Sequence, residues 1–151
     1  MPTRHARGVP GRRRSAALLA LLLALSASAG CGGNGAEGIT EVNEAFESGD
    51  AESVIGQERT VEGRVQDVIS PWAFTVGGDE PSDIEPLLVV EGDMPAVDQD
   101  DAVRVTGVVG EFEIAEVERE LGVDLAETLY EEYEGGPYIR ARRIAEDVEL
   151  G

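Results

Sequence analysis

The spacing of apolar residues changes three times along the chain, and each change marks a different kind of segment. Residues 16–25 (Ala16 to Leu25) form an unbroken apolar run. Val42 and Phe46 then stand four residues apart, which predicts a short helix from Glu41 to Glu47 with Thr40 as its cap. From Gly56 the period drops to two. In the stretch from Arg59 to Ile69, Val61, Gly63 and Val65 fall on one face and polar residues on the other, the signature of a half-buried strand. Ser70-Pro71 turns the chain into a second strand, Trp72–Val76, which Gly77-Gly78 closes. Leu87–Val90 is wholly apolar and reads as a buried third strand; Ala102–Val109, with Val103 and Val105 inward, is the fourth. The connection from Glu91 to Asp101 is polar apart from Met94 and Val97.

Helical spacing returns after the fourth strand. Ile114, Val117 and Leu121 share one face, and Gly122 supplies a stop. Asp124 and Glu127 suggest a capped second helix with Leu125, Leu129 and Tyr133 inward, broken by Gly135-Gly136. Tyr138–Ile144 is the fifth strand. Gly63 and Gly107 interrupt the first and fourth strands, where the missing side chain allows a sheet to bend sharply. Five short strands with two such bends suit a small closed barrel. The expected fold class is therefore α+β, mainly β: a five-stranded barrel with a helical insertion between strands four and five.

The pattern around Val61-Glu62-Gly63-Arg64-Val65, Val103-Arg104-Val105-Thr106-Gly107-Val108 and Ile139-Arg140-Ala141 resembles the OB-fold, especially bacterial OB-fold and anticodon-binding-like modules. The resemblance runs from Thr60 to Ile144 and also extends to small secreted actinobacterial lipoproteins. It implies a closed barrel that binds through one face and its bordering loops. One departure stands out: an OB-fold usually carries its helix between strands three and four, whereas here helices sit at residues 111–136.

The first apolar run is a different matter. It follows a basic stretch ending in Arg12-Arg13-Arg14 and precedes Ser26-Ala27-Ser28-Ala29-Gly30-Cys31. A charged region, about ten apolar residues and a small-residue site form an export signal, too short to span a bilayer. The end resembles the lipobox of bacterial lipoproteins, with Ala29 and Gly30 in place and Ser28 where leucine is preferred. This implies cleavage before Cys31 and a lipid on its sulfur, placing the mature chain on the extracytoplasmic face of the cell membrane. An ordinary secretory signal is the alternative. The arginines leave the general secretory and twin-arginine routes both open. The organisation expected is a leader over 1–30, a glycine-rich tether over 31–38, a helical segment over 39–55, the barrel over 56–146 and a tail over 147–151.

Charge then narrows the partners. The whole chain carries −19. Five of its twelve basic residues lie in the leader, and no carboxylate does. Without residues 1–30, seven arginines face 31 acidic groups, a net charge of −24, and there is no lysine. Such a field repels nucleic-acid backbones and anionic lipid headgroups and favours cationic, basic or neutral partners. Past the leader there is also no histidine, and Cys31 is the only cysteine. That removes Ser-His, Cys-His and Schiff-base chemistry and Cys/His zinc sites. No cofactor fingerprint occurs. Only carboxylate-pair hydrolysis survives on composition, and 31 acidic residues produce pairs by chance.

The functional reading is a non-enzymatic binding module of the envelope. A calcium-responsive structural domain and a carboxylate hydrolase are the alternatives. Candidate ligand contacts are Trp72 at the first hairpin, as a stacking platform or a cap on the core, and Tyr138, Arg140 and Arg142, with Arg143, as an anion patch. Those arginines could instead be neutralised by carboxylates of the preceding helices, Glu131, Glu132 and Glu134 among them. For calcium, Asp98, Asp100 and Asp101 and the loop Asp79–Glu85 are weak candidates, since neither follows the EF-hand pattern.

Overall fold

A computed structural model describes residues 37–78 and 84–150. The leader, Cys31 and Asp79–Asp83 lie outside the described residues. Strands β1 (Glu58–Ser70), β2 (Ala73–Gly77), β3 (Leu87–Val90), β4 (Ala102–Glu111) and β5 (Pro137–Glu146) close into a barrel in the order β1-β2-β3-β5-β4. The β3–β5 pair is parallel; the other neighbours are antiparallel. The architecture is compatible with an OB-like fold.

β1 closes the barrel by serving two partners. Its first half, from Glu58 to Arg64, pairs with β4, and from Arg64 onward it pairs with β2. Gly63 sits at the change of partner. A Cβ there would lie 2.0 Å from the Gly77 carbonyl oxygen, so only glycine lets the strands approach this closely. Gly107 plays the same part on β4. Its missing Cβ would stand 2.2 Å from the Arg140 carbonyl oxygen, beside a register shift in the β4–β5 pairing. Both bends stand where the sequence put them.

The interior is aliphatic, as the low aromatic content requires. Val61, Val65, Val76, Leu87, Val89, Val103, Val105, Val109 and Ile139 surround a single inward aromatic ring, Phe74. Helix α1 (Glu37–Glu47) covers the end where β1 and β5 begin, inserting Ile39 and Val42. Asn43 secures it by donating from Nδ2 to the Glu85 carbonyl oxygen at 2.7 Å. At the other end the β3–β4 connection contributes buried Val97, with Met94 packed against the same core. This connection occupies the place of the helix that OB-folds usually carry there.

α1 corrects two expectations. It begins at Glu37, so Thr40 is inside the helix rather than its cap, and Gly38 belongs to the helix rather than to the tether. Gly38 is there because its Cβ would come within 3.1 Å of Val61 Cγ1. Residues 39–55 accordingly contribute to the barrel core rather than preceding it.

The insertion between β4 and β5 forms a second apolar cluster on the outside of the barrel. Leu88 and Val90 of β3, Ala73 of β2 and Tyr138 of β5 pack against Phe112, Val117, Leu125 and Tyr130. The two legs of the insertion meet at a neck, where the Phe112 amide donates to Gly136 O and the Gly135 amide to Phe112 O, both at 2.8 Å. Helix α2 (Ile114–Leu121) runs as its spacing predicts, and Gly122 ends it at φ +68° with its amide on Glu118 O. The second helix differs. α3 spans only Glu127–Tyr130, continues as a 3-10 turn to Tyr133, and has no side-chain cap. Leu125 N–H is taken by the Glu118 carboxylate at 2.8 Å, which delays the helix start. The inward residue is then Tyr130, fully buried, whereas Leu129 is 47% exposed.

Candidate functional site

The structure separates the residues that the sequence grouped. Trp72 occupies the β1–β2 turn, partly buried against the second cluster. Its amide donates to Ser70 Oγ at 3.1 Å, and its carbonyl accepts the Glu91 amide at 3.0 Å. Ser70 Oγ in turn shares a hydrogen bond with the Tyr130 hydroxyl. Trp72 therefore stands where hairpin, β3 exit and insertion meet, and one part of the indole remains in solvent.

Tyr138 belongs to the same cluster as Trp72. Its ring is 8% exposed and sits edge-on to Phe112, at 5.6 Å between centroids and 81° between planes. Burial pushes its phenol pKa up, with Glu116 adding to the shift. Tyr138 is thus a buried member of the second cluster.

Arg140 pairs with Glu120 of α2, and Arg142 pairs with Glu58 of β1 at 3.1 Å. The first matches the expectation of neutralisation by a preceding helix; the second finds its carboxylate on a neighbouring strand. Only Arg140 belongs to the Trp72 corner, through Glu91. Partial burial raises the Glu91 pKa, Asp93 raises it further and Arg140 opposes both. A carboxyl with a raised folded-state pKa loses stabilisation as pH climbs through that range. Glu91→Gln should therefore melt at or slightly above the wild-type temperature at neutral pH. The difference should vanish below the ordinary carboxylate pKa. A variant that melts well below wild type at pH 7 would contradict this.

The aspartates proposed for calcium build a turn. Asp101 Oδ2 accepts the Asp98 amide at 2.8 Å, Asp100 adopts φ +73°, and its amide donates to Val65 O. Arg64 Nη1 donates to Asp100 O at 3.0 Å. Among the described residues no three metal-ligating side chains converge.

Folding creates grooves that local spacing did not signal. Asp67, Thr75, Glu85, Glu132 and Tyr133 line one, drawn from four separate segments. Burial raises the Tyr133 pKa, and Glu132 and Asp67 raise it further. A second groove, between α1 and the turn after it, is lined by Glu41, Glu44, Glu47 and Asp50 with Arg59. A third has Ile114, Ala115 and Leu125 among its walls and Glu118, Asp124, Glu127 and Glu131 along it. The only sequence signal for these surfaces was the excess of carboxylates. No protein-family model matches the chain, and no curated protein matches it.

Proposed function

We propose that the chain is a lipid-tethered, non-enzymatic interaction module of the bacterial envelope. It is held by Cys31 on the extracytoplasmic face of the membrane and binds a basic or neutral partner. The observation that carries this reading is how the insertion fills the outer face of β2 and β3. OB barrels bind oligomers across that face. Here Leu88, Val90 and Ala73 are already covered by Phe112, Val117 and Tyr130. Recognition then falls to the remaining surface, where each groove carries at least three carboxylates and favours positive charge. The barrel interior is packed with mainly aliphatic side chains. The lipid and the location rest on the leader and the cysteine that ends it.

Two measurements test the proposal. Cys31→Ala should move the protein from the membrane fraction to the soluble fraction, since one thioether-linked lipid is the anchor it invokes. Continued sedimentation with membranes overturns the lipoprotein reading. Titration of the mature domain, followed by the fluorescence of its single tryptophan, tests the partner class. A cationic peptide should bind and single-stranded DNA should not, at about 150 mM salt where phosphate attraction is screened. Sub-micromolar DNA or RNA binding restores the usual OB-fold role. A melting shift given by Ca²⁺ and not by Mg²⁺ favours the calcium-responsive alternative.

A further inference from the structure

Charge is distributed unevenly over this acidic molecule. Of the seven arginines after the leader, six lie on β1, β4 and β5, whereas residues 112–136 of the insertion carry nine carboxylates and one arginine. The barrel register gathers four of the six on its outer wall. One row across the wall is Thr60, Thr106 and Arg143, and the next is Glu62, Arg104 and Ala145. Arg64 pairs with Ala102 one row further on, and Arg142 stands at the register shift between β4 and β5. The Thr60 and Thr106 hydroxyls share a hydrogen bond of 2.9 Å, and Arg104 pairs with Glu62. Arg142 pairs with Glu58 at 3.1 Å, and Arg143 is exposed with no ion pair among the described residues. The wall is polar, and its four arginines stand beside three carboxylates, Glu58, Glu62 and Glu146.

The chain enters the fold at the rim of this wall. Gly38, one residue into α1, lies against Thr60 O and Val61. From Cys31 to Glu37 is six residues, a span of at most about 20 Å. We propose that the outer wall of β1, β4 and β5, through Arg64, Arg104, Arg142 and Arg143, rests on the anionic bilayer surface and orients the tethered domain. This deepens the proposed function and rests on its lipid anchor. The global charge of −24 does not forbid the contact. A membrane's field decays within about 8 Å at physiological salt, so only the nearest face senses it. Tethering removes the need for strong affinity, because the anchor already holds the wall at high local concentration. A bilayer is favoured over a soluble acidic partner because the anchor keeps the wall beside it, whereas the protein's net charge repels a free polyanion. In this pose the insertion and its carboxylate-lined grooves point away from the membrane.

The test uses fluorophores at two surface sites, half-buried Ala145→Cys on the wall and exposed Thr128→Cys on the insertion. The acceptor is a labelled lipid in vesicles of phosphatidylcholine with or without phosphatidylglycerol. The mature lipoprotein is compared with a mature chain carrying an N-terminal hexahistidine in place of the lipid, held on nickel-chelating lipid. With phosphatidylglycerol, energy transfer from position 145 should exceed that from position 128 several-fold in both formats. Arg104→Gln with Arg143→Gln should erase the difference while leaving thermal melting unchanged. Equal transfer from the two sites, or stronger transfer from position 128, overturns the proposal. The nickel-held format decides orientation even if Cys31 proves unlipidated, so failure of the anchor and failure of the wall are read separately.

Discussion

Gly107→Val should unfold the domain or lower its melting temperature by about 10 °C or more, the largest effect expected of any single substitution here. Valine's Cβ would be placed 2.2 Å from Arg140 O and 2.8 Å from Ala141 Cα, both backbone atoms of the partner strand. Neither can swing aside as a side chain would. The β4–β5 ladder must open at its bend, at a cost of about 3 kcal/mol or more, the upper range for overpacking. Gly63→Ala should behave alike, since its Cβ falls 2.0 Å from Gly77 O. Gly92→Ala is the control: the nearest atom is Leu121 Cδ2 at 3.3 Å, the end of a flexible side chain. Thermal melts of the three variants decide the matter. A soluble Gly107→Val protein with wild-type melting would refute the bend.

Tyr130→Ala comes next in size and acts on the insertion instead of the barrel. The ring is fully buried and stacks on Phe112 with centroids 5.8 Å apart and planes at 20°. Removing an aromatic side chain from such a site costs about 3–5 kcal/mol. The loss falls in the outer cluster, which shares no buried residue with the barrel core. Hydrogen exchange should therefore accelerate over residues 112–136, and the Trp72 emission should shift red, before β-sheet circular dichroism is lost. Tyr130→Phe removes only the hydroxyl bonded to Ser70 and should cost about 1 kcal/mol. If Tyr130→Ala loosens barrel and insertion in a single step, the two clusters are one cooperative unit and this picture is wrong.

Much of the architecture could be read from period alone. β3 runs over the expected Leu87–Val90, and β4 begins at the expected Ala102. α2 spans Ile114–Leu121 because its apolar face and the Gly122 stop agree. Period fails where tertiary contact decides. Gly38 reads as tether because glycine disfavours helices, yet a helix pressed onto β1 needs a residue with no Cβ. Leu129 reads as inward until the helix start slips past Leu125 and turns Tyr130 toward Ser70. Leu87–Val90 carried a clue of its own: a strand apolar on both faces requires cover on both, and the insertion supplies the outer one. The site was less legible. Trp72 stood out as a lone indole at a turn, but Asp67, Glu85 and Glu132 are separated by long stretches of chain and look like every other carboxylate.

Closure of the barrel has a consequence for how this protein meets others. Every strand has a hydrogen-bonded neighbour on each side over part of its length, from β1 round to β4 and back to β1. Such a sheet has no whole edge strand on which another chain could extend it, only the ends of β1 and β5 that run past a partner. Recognition by strand addition, the route of many peptide-binding domains, is restricted at the barrel to those short ends. So is the edge-to-edge stacking that seeds fibrils when β-rich proteins are crowded. Its neighbours therefore meet it mainly through side chains.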